Sequence, residues 1–404
     1  SWVGRELDLD IGPVAHGGFS VARHEGRVVF VRHTLPGERV RARVTEGGSQ
    51  DRFLRADAVE ILTPSADRVE PVCRHAGPPT ADLTWGGCGG CDWQHVNLTA
   101  QRELKGQVVA EQFARLAGLT VSVPVLAVPG DDAGLHWRTR VEFAVDAAGR
   151  AGLRPSRSRT VLPISECPIA VPGILESGVL HRDWTGYRAV DIAVAGEAPA
   201  VIVPVASREG PAPTLTETVA TPGWSGRYAV SARGFWQVHP GAAATFLGQV
   251  LQALAPQPGE QVLDLYAGVG LFAVPLADAV GPKGSVLAVE GDALACEHAR
   301  ANAGDRSQVQ VLTGRVEDRL GEITAHGADV VVLDPPRTGA GRVVMEAVLG
   351  LQPRAIAYVA CDPAALARDT AYALAGGYHL GSLTAYDAFP QTHHVECIAV
   401  LLPG

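Results

Sequence analysis

The chain has 404 residues, 47% of them apolar and 19% charged. That is enough apolar material for two or three domains with their own cores, and it excludes a disordered chain. No apolar run approaches the roughly 18 residues of a membrane helix. The opening Ser1-Trp2-Val3-Gly4-Arg5 lacks a basic stretch leading into an apolar one, so no secretory leader and a cytoplasmic address are expected. The net charge of −9 argues against a broadly basic nucleic-acid binder. A local basic groove remains open at Arg138, Arg140, Arg150, Arg154, Arg157 and Arg159, where only Glu142 and Asp146 intervene; the alternative is a solvated loop face. The seven cysteines, an odd number, point to metal binding or catalysis rather than to disulfides.

In chain order, residues 1–62 read as short strands and turns. Val28 to Val31 is a compact apolar strand, Leu35-Pro36-Gly37-Glu38 a turn, and Arg39 to Val44 alternates with period two. Such strands within sixty residues predict a small OB-like β-barrel. Residues 63–225 form a central, β-rich domain with a cysteine cluster. Within it, Asn97 to Ala117 has helical spacing, with Val108, Val109, Phe113 and Leu116 on one face and an end near Gly118; this helix can pack on the following domain. From 226 to 404, apolar strands at Gln261–Leu265, Ser285–Glu290, Val309–Leu312, Asp329–Asp334 and Ala355–Ala360 alternate with helical patterns. That alternation predicts an α/β domain with a doubly wound parallel sheet.

The first of these strands ends in Asp264-Leu265-Tyr266-Ala267-Gly268-Val269-Gly270. Ligands bind at the carboxyl ends of strands in such sheets, and the glycines allow a tight turn. Glu290 ends the second strand, twenty-two residues after Gly268, where an acid accepts hydrogen bonds from ribose hydroxyls. A dinucleotide fingerprint is broken, because the third residue after Gly270 is Ala273. Asp334-Pro335-Pro336-Arg337 follows the fourth strand, and Cys361 ends the fifth. Glu396 lies close to the end of the chain. A carboxylate, a thiol and a second carboxylate suit methylation at C5 of uracil. A thiolate adding to C6 makes C5 nucleophilic. A base must then remove the C5 proton, and the target base must leave its stack. Cys361 is the candidate nucleophile and Glu396 the base, with Asp334 and Gln237 holding the pyrimidine and the cofactor.

Five motifs in order resemble the RNA 5-methyluridine methyltransferase family: Phe235-Trp236-Gln237-Val238-His239, Asp264 to Gly270, Asp334 to Arg337, Cys361 to Asp369, and Asp387 to Glu396. Gly17 to Arg23, Val29 to Val31 and Leu35 to Val40 are similar to the TRAM domain of that family, an RNA-binding barrel. The resemblance spans nearly the whole chain. It implies a class I, Rossmann-like methyltransferase domain using S-adenosylmethionine. It also implies Cys361 as nucleophile, Glu396 as base and Asp334 in the catalytic site. Gln237, Tyr266, Gly268, Glu290 and Asp334 fall at its cofactor-binding positions. The RNA is a tRNA or 23S rRNA, and a monomer is expected. Two departures stand out: Asp362 where Asn is common, and Leu271 where a polar residue is common.

Cys88-Gly89-Gly90-Cys91, with Cys73 upstream and Cys167 downstream, offers four thiolates for zinc or an iron–sulfur cluster. Resemblance to the family's iron–sulfur segment implies a 4Fe-4S cluster, with zinc or an empty site as alternatives. The fourteen residues between Cys73 and Cys88 exceed the family's spacing. Cys296 and Cys397 read as ordinary buried cysteines. Two other functions compete. A cytosine-C5 methyltransferase of the DNA type would carry a Cys after the fourth strand, where this chain has Asp334-Pro335-Pro336. A non-catalytic RNA-binding protein would not need both Cys361 and Glu396.

Overall fold

The computed structural model describes residues 1–48, 50–78, 86–206 and 212–404. The N-terminal strands are β1 (Glu6–Asp10), β2 (Ser20–His24), β3 (Arg27–Arg32), β4 (Arg39–Glu46) and β5 (Phe53–Thr63), in the order β1-β4-β5-β3-β2. The edge strands β1 and β2 also lie against each other. The period-two pattern does what it predicts. Val40, Ala42 and Val44 of β4 turn inward onto Val29, Val31, Leu54, Ala56 and Ala58, and together they form the barrel core. Glu38, buried in the turn before β4, anchors the chain that leaves the barrel. It accepts from Arg68 Nε at 2.6 Å and Nη2 at 2.7 Å, and from the Leu35 and Ser65 amides.

Helix α1 (Leu98–Gln112) starts where expected, with the Asn97 side chain accepting from the Ala100 amide at 2.9 Å. Its last turn, Phe113–Ala117, is π-helical and closes on Gly118 at φ 67°. Val108, Val109 and Phe113 are buried as the spacing predicts, whereas Leu116 is 44% exposed. The wide π turn departs from the 3.6-residue period and rotates Leu116 off the buried face.

The central region does not hold together as one unit. Strand β6 (Val125–Ala127) leaves it to pair with the C-terminal sheet. Its own sheet is β7 (Arg140–Val145), β8 (Ala151–Leu153), β9 (Leu162–Pro163), β10 (Ala189–Ala193) and β11 (Val201–Val205), ordered β11-β10-β7-β8-β9, with the short α2 (Pro172–Glu176) beside it. The hairpin β12 (Thr214–Thr221) and β13 (Trp224–Ser231) packs against the helices Ala242–Leu254 and Ala293–Ala303 of the next domain, so the expected boundary at 225 falls inside β13. The arginine stretch forms no single groove. Arg140 turns inward to Glu217 at 2.8 Å, Arg150 pairs with Asp146, and Arg157 pairs with Glu46 of the barrel. Arg140 is buried at the start of β7, whereas Arg150, Arg154, Arg157 and Arg159 are exposed.

The C-terminal domain contains α3 (Ala242–Leu254), β14 (Gln261–Leu265), α4 (Ala273–Val280), β15 (Ser285–Glu290), α5 (Ala293–Ala303), β16 (Val309–Thr313), α6 (Leu320–His326), β17 (Val330–Leu333), α7 (Gly341–Gly350), β18 (Ala355–Ala360), α8 (Pro363–Ala375), β19 (Tyr378–Asp387) and β20 (Glu396–Pro403). The sheet order is β16-β15-β14-β17-β18-β20-β19-β6. The five predicted strands are parallel, but β20 is antiparallel to both β18 and β19. The sheet is therefore mixed rather than wholly parallel. Apolar cores cover both faces, which is why the central strands are apolar throughout.

Helix α1 belongs with this domain, packing on α8. Its Lys105 is fully buried and donates to Asp387 Oδ1 at 2.6 Å and to the Phe389 carbonyl at 3.1 Å. Arg102 reaches the other Asp387 oxygen at 3.1 Å. Burial pulls the Lys105 ammonium down, and the Asp387 charge opposes it. Lys105→Met leaves a buried carboxylate with only Arg102. We expect it to lower stability by about 3 kcal/mol, read as a fall in the urea midpoint at unchanged slope.

Candidate active site

Consecutive strand ends build the site. Glu290 ends β15, Tyr266 and Gly268 follow β14, Asp334 follows β17, and Cys361 follows β18. The ladder of parallel bonds runs past the strand ends. The Tyr266 and Ala267 amides donate to Val289 O, and the Asp334 amide to Leu265 O. Strand β20 runs the other way, so it begins at this edge with Glu396. Because Ala360 pairs with Cys397, the next pair along the register is Cys361 opposite Glu396. Cys361 and Glu396 thus sit at the same edge, near enough for the Glu396 charge to act on the Cys361 thiol.

The loop after β14 turns through left-handed backbone. Tyr266 lies at φ 66°, Gly268 at 55° and Gly270 at 89°. Glu290 Oε2 accepts from the Gly268 amide at 2.8 Å, and Oε1 from the Asp292 amide at 2.7 Å. The Tyr266 hydroxyl is buried without a partner among the described residues. Gln237, which follows β13, is buried.

The electrostatics are dominated by buried carboxyls. Burial, reinforced by Glu290, lifts Asp334 to about 7. Burial and the Asp334 charge push Glu396 well above the usual carboxyl range, and Arg337 opposes them. Burial and the Glu396 charge lift the Cys361 thiol to about 11, again with Arg337 opposing. Asp264 was visible only as the start of the loop motif. It is fully buried beneath the loop, with neither oxygen in a full hydrogen bond, although the Ala273 amide gives some relief; burial and Asp334 lift it to about 8. Arg337 was likewise legible only as part of its motif; the structure makes it the cation acting on both Cys361 and Glu396.

The loop before Glu396 is held from several sides. Gln101 and Gln391 exchange hydrogen bonds, and Trp93 N–H donates to Gln391 O. Asp92 accepts from His393 at 2.6 Å. Gly18 of the barrel lies so close to His393 that a Cβ there would sit 2.7 Å from the His393 Cβ. Only glycine fits at this contact.

Cys73, Cys88, Cys91 and Cys167 line one cavity, and the distant Cys73 is among them. The Gly90 amide points at Cys88 Sγ at 3.4 Å. Burial raises all four thiols, Cys88 to about 11 and Cys73 to about 12. Among the described residues, no three Cys, His, Asp or Glu side chains converge closely enough to share one metal ion. Cys296 and Cys397 are buried, as expected. Among the described residues no helix is long and apolar enough to cross a membrane.

This is the strand-end site of a class I methyltransferase with a barrel docked beside it. Residues 1–59 match the TRAM domain family, and residues 213–403 match the tRNA (uracil-5-)-methyltransferase family. An uncharacterized RNA methyltransferase of Streptomyces avermitilis is 48% identical over 100% of this chain and 99% of its own length. A 23S rRNA (uracil(1939)-C(5))-methyltransferase of a Shewanella species is 31% identical over 95% of this chain and 93% of its own. The crystal structure of the Pyrococcus abyssi tRNA (uracil-54, C5)-methyltransferase with S-adenosyl-L-homocysteine superposes with a TM-score of 0.71, at 21% identity, covering 97% of this chain and 99% of that one. The chain belongs to the S-adenosylmethionine-dependent RNA (uracil-C5)-methyltransferase family.

The Asp264 environment gives a sign-definite test. Its pKa is raised on folding, so the stability it contributes is present below about 4 and is lost as pH rises through about 8. Asp264→Asn should therefore raise the melting temperature of the ligand-free protein at pH 8 and change it little at pH 4. The slope it removes is up to about 1.4 kcal/mol per pH unit.

Proposed function

We propose that this enzyme methylates C5 of a uridine in 23S rRNA, with Cys361 as covalent nucleophile and Glu396 as base. The carrying observation is the Cys361–Glu396 juxtaposition across the β18–β20 pair. The ribosomal substrate is favoured by the full-length likeness to the Shewanella enzyme. The uridine leaves its stack and enters the strand-end crevice, with the barrel of residues 1–62 holding RNA beside it. The Cys361 thiolate adds to C6, and the electrons move through the ring to make C5 nucleophilic. Asp334 holds the pyrimidine edge. Gln237, Tyr266, Gly268, Glu290 and Asp334 would hold S-adenosylmethionine, and the unpartnered Tyr266 hydroxyl and acidic lining suit a polar, cationic molecule. Bound there, S-adenosylmethionine supplies an electrophilic methyl group. Glu396 then takes the C5 proton, the C5–C6 double bond reforms, and Cys361 leaves as thiolate. Arg337 favours the ionised form of both groups.

Cys361→Ala should abolish methyl transfer and leave no protein–RNA adduct on a denaturing gel. Glu396→Gln should instead accumulate a denaturation-stable adduct carrying the new methyl group. Turnover by Cys361→Ala would overturn the covalent route. Nucleoside mass spectrometry of RNA from cells lacking the enzyme should show 5-methyluridine lost from 23S rRNA. Loss from tRNA alone would reassign the substrate, and loss of 5-methylcytidine would favour the cytosine reading.

Cys73, Cys88, Cys91 and Cys167 would hold a four-iron cluster. The shared cavity and the amide aimed at Cys88 fit one. Bound metal holds the thiols as thiolates and braces the segment that carries Asp92 and Trp93. Protein purified without oxygen should contain iron and acid-labile sulfide in equal amounts, and Cys91→Ala should lose both. Zinc in their place would refute the cluster.

A further inference from the structure

The barrel reaches the residue next to Cys361. His16 lies in the loop between β1 and β2, in a turn closed by Ala15 N–H to Phe19 O at 2.7 Å. Its Nε2 donates to Asp362 Oδ2 at 3.0 Å. Asp362 is bonded to Cys361 in the chain. Its other oxygen caps α8, accepting from the Ala365 amide at 2.8 Å. The two residues are 346 positions apart, so the contact exists only when the barrel is docked.

A negative charge beside Cys361 opposes thiolate formation. Cys361 already faces the carboxyls of Glu396 and Asp334, with Arg337 as the opposing cation; Asp362 adds a further anion. His16 faces Asp362 and, further off, Glu111. We propose that His16 is a positioning residue for Cys361: it neutralises the adjoining Asp362 carboxylate and fixes that residue as the cap of α8. The proposal rests on reading Cys361 as the nucleophile. Asp362 raises the imidazole pKa, so His16 carries the needed charge through a wider pH range than a free histidine.

The test is a double-mutant cycle read on the thiol itself, without RNA. The full-length protein is treated with iodoacetamide, and the alkylation rate of the Cys361 peptide is followed by mass spectrometry. Below the thiol pKa, that rate tracks the thiolate fraction. Asp362→Asn keeps the cap and removes the charge. At pH 6 it should barely change the rate in the parent. In the His16→Ala background it should accelerate alkylation roughly tenfold, as expected for removing one uncompensated neighbouring charge. In the parent, the effect of Asp362→Asn should grow as pH rises and His16 loses its proton. Changes in access cancel in the cycle, because Asp and Asn have the same shape. Buried Cys397 reports on folding in the same digest; if it becomes reactive in His16→Ala, His16→Gln replaces that variant. Equal effects of Asp362→Asn in both backgrounds at every pH would reduce His16 to a docking contact and overturn the proposal. Since no methyl transfer is measured, a failed uracil assignment would leave this result standing on its own.

Discussion

The antiparallel insertion of β20 between β18 and β19 is the constraint on which the site depends. Parallel strands of a doubly wound sheet all end at one edge, and their end residues converge there. A reversed strand starts at that edge. Glu396 thus joins Asp334 and Cys361 although it lies at the beginning of its strand. The pairing of Ala360 with Cys397 sets Glu396 opposite Cys361, and a one-residue slip would turn every side chain of β20 to the other face. Such a slip is costly because β20 buries Cys397 to Leu401 in the core on both faces.

The loop leading into β20 gathers the other parts of the molecule. Helix α1 holds it through Lys105 and Gln101, the cysteine segment through Asp92 and Trp93, and the barrel through Gly18. Each contact joins residues hundreds of positions apart, so the loop takes its shape only once every part is in place. The barrel is therefore part of the frame of the active site as well as a surface beside it. That shared frame gives a cysteine cluster with no step in the reaction a physical role, since Cys91 adjoins Asp92 in the chain.

The five parallel strands were legible because burial on both faces demands unbroken apolar runs, and their ends carry the chemistry. Their predicted limits agree with the structure to within a residue. What depends on tertiary pairing was not legible. The apolar run after Glu396 does not reveal its direction. Lys105 and Arg140 have the composition of solvated charges, and only the folded partners Asp387 and Glu217 make them internal. Leu116 fits a helical face until the π turn rotates it away. His16 sits in a glycine-rich stretch whose interest seemed confined to the barrel; its partner is 346 residues distant. Asp264 opened a motif read for its glycines, and its buried charge has no periodic signature.

The same carboxyls explain why an acidic protein can run this chemistry. Burial, reinforced by the Asp334 charge, lifts Asp264 to about 8, and burial reinforced by Glu290 lifts Asp334 to about 7. A cation placed beside such carboxyls favours their ionised form. In the proposed site the sulfonium of S-adenosylmethionine, which S-adenosylhomocysteine lacks, would favour the ionised form of these carboxyls and so distinguish the donor from the spent product. The cost of keeping those carboxyls buried in the free enzyme falls on stability above neutral pH. Buried carboxyls such as Asp264, Asp387 and Glu396 count toward the formal net charge of −9 without facing phosphate, so that total does not argue against RNA.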